Sequence, residues 1–167
     1  MHDRSFAAIL PALLLAACAA APERAPPAKT IVIPKGMSRA YDDYHYAPAV
    51  RVGDTVIVSG IPAGPGATYE ARITAMFERL KLVLEAAGAT LADVVEINTF
   101  HVEARDTPSF EAEFARFLEI HKRYFPEGYP AWTAVGTTAL LAAGAPVEMR
   151  VVAVVGAGAK LRVDRAE

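Results

Sequence analysis

The alternation of apolar and polar positions divides the chain into two strands, a helix, a strand, a second helix and two closing strands. Val52-Gly53-Asp54-Thr55 reads as a turn, and the β-branched run from Thr55 to Ser59, closed by Gly60, reads as a strand. Ile61-Pro62-Ala63-Gly64-Pro65-Gly66 is rich in turn formers and predicts a loop. Ile73, Met76, Phe77, Leu80, Val83, Leu84 and Ala87 recur at the spacing of one helical face, with Gly88 where a helix ends. Val94 to Val102 is β-branched enough for a strand. A second helix starts near Thr107-Pro108, a capping residue followed by Pro in the first turn. Its stripe runs Phe110, Phe114, Phe117, Leu118 and His121 and ends by Phe125-Pro126. Ala131 to Leu140 and Val147 to Val155 are the last two strands. The string ββ-α-β-α-ββ predicts an α+β domain, one mixed sheet with two helices on one face. At this spacing the Met76 and phenylalanine stripes read as core.

The first residues follow a different pattern. Met1-His2-Asp3-Arg4 precedes an apolar run from Phe6 to Leu15, then Leu15-Ala16-Ala17-Cys18. That layout is a secretory signal, and the run is short of the roughly 20 apolar residues a membrane span needs. Leu-Ala-Ala-Cys resembles a bacterial lipobox, in which the cysteine thiol takes a diacylglyceryl group and becomes the mature N-terminus. Cys18 is the only cysteine, so it has no disulfide partner within the chain. The other reading is an ordinary cleaved signal with an incidental cysteine. Residues 1–17 are therefore read as signal peptide and 18–29 as a tether extended by Pro22, Pro26 and Pro27. Residues 30–160 are read as the domain and 161–167 as a C-terminal tail. The protein is expected to be exported and held by lipid at the periplasmic face of the cell envelope. Ala19 after the cysteine, rather than Asp, points to the outer membrane by resemblance to lipoprotein sorting rules.

Charge and motifs then exclude several classes. Lys and Arg number 17 against 19 Asp and Glu, a net charge of −2, and no basic run stands out, which argues against a nucleic-acid partner. Phosphate-loop, Gly-x-Ser-x-Gly and His-Glu-x-x-His signatures are absent from the sequence. His2, His45, His101 and His121 lie far apart, so no metal site is predicted. His121, on the apolar stripe, reads as a hydrogen-bonded core or interface residue. In Val147-Glu148-Met149-Arg150-Val151-Val152-Ala153 the odd positions form the apolar face, so Glu148 and Arg150 share the other, about 7 Å apart. Two readings stay open: an exposed ion pair worth little, or a carboxylate that lines a cleft and handles a proton or a water.

The segment Tyr46 to Gly60 resembles the opening strands of the Rid (YjgF-type) proteins. Leu84-Glu85-Ala86-Ala87-Gly88-Ala89 with Asp93-Val94-Val95, Tyr129-Pro130-Ala131-Trp132-Thr133-Ala134-Val135-Gly136 and Val147 to Ala153 are similar to later parts of the same family, in the same order. The resemblance spans nearly all of 30–155. It implies a chorismate-mutase-like α+β fold, a homotrimer with a cleft at each subunit boundary, and hydrolysis of enamine or imine intermediates without metal or organic cofactor. It also implies roles for particular residues. Glu148 matches the family's cleft glutamate, which positions the attacking water. Tyr46 matches its cleft tyrosine, and Ser59 a pocket-edge serine.

Trp132 departs from that pattern. Deaminating members carry an arginine after the Pro-Ala, which clamps the substrate carboxylate. Tryptophan offers one N–H and a large apolar face, and it cannot neutralise an anion. Arg150 stands where those members often have a carboxylate, and Glu111 where they often have an asparagine. Substrate-binding candidates are therefore Tyr46, Ser59, Trp132 and Thr133, with Arg105 and Arg150 as substitute anion-binding groups. Trp132 either forms an aromatic wall of the cleft or plugs an interface or core. Two functions follow. One is a Rid-like hydrolase with altered specificity, selecting less charged or aromatic substrates; the other is a trimer that binds a small molecule without turning it over. A ribonuclease reading, attached to some relatives, sits poorly with export and the lack of a basic patch.

Overall fold

The computed structural model describes residues 26–166. The segment read as a signal peptide, Cys18 with its expected lipid, and most of the stretch read as a tether lie outside the described residues. Six strands, β1 (Lys29–Val32), β2 (Ala49–Val52), β3 (Thr55–Pro62), β4 (Val94–His101), β5 (Ala131–Gly136) and β6 (Val147–Val154), form one sheet in the order β1-β2-β3-β6-β4-β5. All pairs are antiparallel except β4 with β5, which a helical crossover makes parallel. Helices α2 (Tyr69–Ala86) and α3 (Thr107–Tyr124) pack on one face, and α1 (Ser38–Asp42) is a single short turn without buried residues. The predicted α+β class, mixed sheet and one-sided helices are what the chain forms.

Helix α2 buries Ile73, Met76, Phe77, Leu80, Val83 and Leu84, the predicted stripe, and Ala87 at its C-cap is buried too. It closes as a Schellman turn: Ala89 N–H donates to Leu84 O (2.8 Å) and Gly88 N–H to Glu85 O (3.0 Å), with Gly88 at φ +78°. Helix α3 is capped by Asp106 rather than by Thr107. Ser109 N–H donates to the Asp106 carboxylate at 2.8 Å, and the Ser109 hydroxyl receives the Asp106 N–H in return.

Several boundaries moved. Strand β1 begins at Lys29, inside the stretch read as tether, so three strands and a short helix precede α2 instead of two strands. Strand β3 continues to Pro62 where a loop was predicted from Ile61. A register shift between Val58 and Ile61 sets Ser59 and Gly60 together against Arg150, a bulge that lets the strand bend on and keep pairing with β6. Strand β5 stops at Gly136 rather than Leu140. There Thr137 N–H donates to His101 O (2.9 Å) and the chain turns away, leaving Leu141 fully exposed.

The stripe of α3 is also rotated from the predicted one. Glu113, Phe117, Ile120 and His121 are buried, whereas Phe110, Phe114 and Leu118 are half-buried at its margin. Phe77 is the centre of the aromatic core, 5.7 Å from Phe117 and stacked on Tyr124 at 4.6 Å. His121 lies flat between Phe125 (4.8 Å) and Trp132 (4.5 Å), and its Nε2 is buried without a partner among the described residues. Burial pushes this imidazole down to about 4, against 6.5 for a free one.

The sign of the consequence is fixed. As pH falls below 6.5 the unfolded chain takes up the His121 proton first, so stability is complete above that value and is lost as pH approaches 4. The loss attributable to this group should reach at most about 3 kcal/mol. Denaturant titrations at pH 7 and pH 4.5 should show a difference that shrinks in His121→Phe. An unchanged difference would mean that His121 is not buried neutral.

Candidate functional site

The pleat decides which side chains can meet. On β6 the odd residues Val147, Met149, Val151 and Ala153 are buried under the helices, and the even residues Glu148, Arg150, Val152 and Val154 point to the open face. Register then sets rows across that face. Val135, Phe100, Glu148 and Pro62 form one row; Thr133, Asn98, Arg150 and the Ser59-Gly60 bulge form the next; Ala131, Glu96, Val152 and Ile57 form the third. Four predicted residues, Glu148, Arg150, Ser59 and Thr133, are thus neighbours on two adjacent rows.

Glu148 and Arg150 do not pair. The Arg150 guanidinium lies 3.6 Å from the Glu96 carboxylate, which also accepts the Asn98 side-chain N–H. Among the described residues Glu148 makes no side-chain hydrogen bond or ion pair. Its carboxyl group is half-buried between Phe100 and Pro62 and lies against Gly60, where an added Cβ would stand 2.8 Å from the carboxyl carbon. Partial loss of hydration with no compensating cation pushes the Glu148 carboxyl above the usual range. The glycine at the bulge is what makes room for it, a contribution that sequence reading missed because Gly60 served there only as a strand terminator.

The other predicted residues have different surroundings. The Ser59 hydroxyl donates to Ala47 O at 2.7 Å, tying the bulge to the loop that carries Tyr46, and the Tyr46 ring is about half exposed. Arg105 precedes α3 and lines a hollow of about 600 Å³ with Val102, Ala104, Gly136, Thr137 and Thr138. Its guanidinium makes no ion pair among the described residues.

Trp132 lies on the opposite face from Glu148, so the two do not line one cleft within a single chain. Strand β5 alternates, so Ala131, Thr133 and Val135 share the open face while Trp132 and Ala134 turn toward α3. The indole packs on His121, on Phe114 (4.9 Å) and on Phe117 (5.5 Å), and its N–H donates to Thr99 Oγ1 at 3.0 Å. With face and donor both engaged, it is a wedge in the β5–α3 seam. Beside it Phe110, Glu111, Phe114 and Ala134 line a small hollow of about 230 Å³. The sequence carried a signal for this hollow in the i, i+4 spacing of Phe110 and Phe114 on a helix margin.

Beneath the seam lies a polar chain that sequence reading also missed. Thr99 Oγ1 meets His101 Nε2 at 2.9 Å, His101 Nδ1 meets Glu113 Oε1 at 3.0 Å, and Tyr69 Oη donates to the same oxygen at 3.0 Å. Thr99, His101 and Glu113 are buried, and Glu113 Oε2 has no partner among the described residues.

Residues 38–155 match the family model described as endoribonuclease L-PSP. A RutC family protein of Escherichia coli, YjgH, is 31% identical over 131 residues, covering 75% of this chain and 94% of that protein. The solved structure of YjgH superposes with a TM-score of 0.65 over 76% of this chain and 96% of its own. A Mycobacterium tuberculosis member of the YjgF/YER057c/UK114 family, 30% identical, gives 0.65 over 77% of this chain and all of its own. A protein of Dermatophagoides farinae named 2-iminobutanoate/2-iminopropanoate deaminase is 32% identical over 102 residues, 57% of this chain and 74% of that protein. The matched segment runs from α1 to the end of β6 and takes in both the Glu148 face and the Trp132 seam; the chain belongs to the endoribonuclease L-PSP family, that of the RutC- and YjgF-type (Rid) proteins.

Proposed function

We propose that the protein hydrolyses imines or enamines in a site shared between subunits of a homotrimer. The observation that carries this reading is Glu148, a half-buried carboxyl with raised proton affinity and no partner among the described residues, facing outward from a sheet that the helices cover on one side only. A group so placed suits a water and a substrate better than it suits stability. Glu148 and the Trp132 seam point to opposite sides of one chain, so a site using both draws them from two copies. The open face also exposes Ile57 and Val135 beside half-buried Phe100 and Val152, an apolar strip that a neighbouring copy would cover.

The chemistry follows from the carboxylate. Glu148 accepts a proton from water as the water oxygen bonds to the imine carbon, and the nitrogen takes up a proton from solvent. In the resulting carbinolamine Glu148 returns its proton to nitrogen, the C–N bond breaks as the hydroxyl proton passes to solvent, and ketone or aldehyde leaves with ammonia or amine. An enamine first gains a proton on carbon and enters as the imine. A carboxyl pushed upward by burial is closer to the working pH than an exposed one and transfers the proton more effectively. Tyr46, Ser59 and Thr133 would border the reacting carbon.

The seam sets the specificity. Where deaminating relatives clamp a carboxylate, this chain presents Trp132 beside a hollow lined by Phe110, Glu111, Phe114 and Ala134, and Arg150 lies against Glu96. Less charged or aromatic substrates fit that half; Arg105 is the remaining cation for an anionic one. The resemblance of residues 1–18 to a secretory signal ending in a lipobox supports an activity held at the cell envelope by lipid on Cys18.

Two tests address these claims. Ammonia release from imines made in situ should fall at least about 100-fold in Glu148→Ala. Gly60→Ala should cost about as much activity by displacing the carboxyl, while the flexible Glu148 side chain yields and stability changes by less than about 1 kcal/mol. Undiminished turnover in Glu148→Ala, or ligand binding without any turnover in the wild type, would overturn the hydrolase reading. For the anchor, wild-type protein should sediment with membranes after a salt wash and Cys18→Ser should not be acylated; soluble wild type would remove the lipid claim.

A further inference from the structure

We propose that Thr99 and His101 are positioning residues for the Trp132 half of the site, holding the indole with its only N–H turned into the protein. This rests on the reading of Trp132 as part of the site.

An indole N–H only donates, so Thr99 Oγ1 accepts at 3.0 Å, which leaves its own proton free to turn to His101 Nε2, 2.9 Å away. The ring proton of His101 then sits on Nδ1 and is donated to Glu113 Oε1 at 3.0 Å, which also accepts from Tyr69. Donors thus run from β5 through β4 to α3, with Tyr69 of α2 meeting them at the carboxylate. The far end is anchored as well: the Arg116 guanidinium covers the Tyr69 ring at 4.3 Å and pairs with Glu70 at 2.9 Å.

Packing alone does not require such a chain. Thr99 and His101 are fully buried at a helix–sheet interface where apolar residues of similar shape would avoid the cost of burying polar atoms. What the chain adds is orientation. A tryptophan between His121, Phe114 and Phe117 could turn over about χ2 and fill much the same volume. One hydrogen bond to a threonine that is itself held selects one of the two orientations. In the selected one, a carbon-only edge is left for the seam, so the ligand meets an apolar wall with no donor.

Trp132 is the protein's only tryptophan, so intrinsic fluorescence reads this ring alone. Thr99→Val keeps the shape and removes the hydroxyl. Its folded state should show a changed emission maximum and faster depolarisation, and Thr99→Ser should restore both. KM for the imine generated from phenethylamine by an amine oxidase should rise about tenfold with kcat little changed, as expected for a lost ground-state wall. Nitrogen-15 shifts of His101 in the wild type, which need no variant, should report the neutral Nδ1–H tautomer. Wild-type emission and KM in folded Thr99→Val, with only the melting temperature lowered, would overturn the proposal. So would an Nε2–H tautomer. If the wild type turns over no imine, the hydrolase reading fails by itself, and emission and tautomer still decide the positioning.

Discussion

Every functional feature of this chain depends on a sheet with period-two strands that carries helices on one face only. Burying Val147, Met149, Val151 and Ala153 commits Glu148 and Arg150 to the other side, because a one-residue slip would drive both charges under α2 and α3. The same pleat on β5 sends Trp132 toward α3 and Thr133 away from it. Register does the rest, bringing Thr133 and Asn98 into one row with Arg150 and setting Phe100 and Pro62 beside Glu148. The separation of acid and aromatic seam onto opposite sides follows from the core.

The electrostatics of the open face are arranged to leave Glu148 alone. Arg150, two residues along the strand, is taken by Glu96, which Asn98 also holds. A guanidinium turned toward Glu148 would lower its proton affinity and occupy its oxygens. Instead, it stands in one row with Phe100 and Pro62 and lies against Gly60, which leaves it half-buried. The bulge matters here: a regular strand would place a side chain where Gly60 now lets the carboxyl lie flat.

Much of this was legible in the sequence where a long periodic run meets a sharp stop. The stripe of α2 with Gly88 behind it, and the alternation on β6 that singled out Glu148 and Arg150, are formed as the spacing predicts. Less visible were elements whose shape is set by distant partners. Strand β1 is four residues on a sheet edge, too short to show a period. The bulge in β3 depends on pairing with β6, so Ile61-Pro62 looked like loop. Glu113 interrupts an aromatic stripe, and only the fold shows that His101 and Tyr69 reach one of its oxygens from two other elements. Trp132 could be read as cleft wall or as plug. Its side of the sheet became definite only with the register of β5 against β4.

Subunit complementation tests the split site most directly. Glu148→Ala removes the acid half, and Ala134→Arg fills the hollow of the seam half; each alone should be inactive in ammonia release. When the two chains are co-expressed and mixed trimers are isolated, one boundary in about three should pair an intact Glu148 with an intact seam, and activity should return in that proportion. Folded mixed trimers with no recovered activity, or full activity in an isolated monomer, would contradict a site built from two copies of the chain.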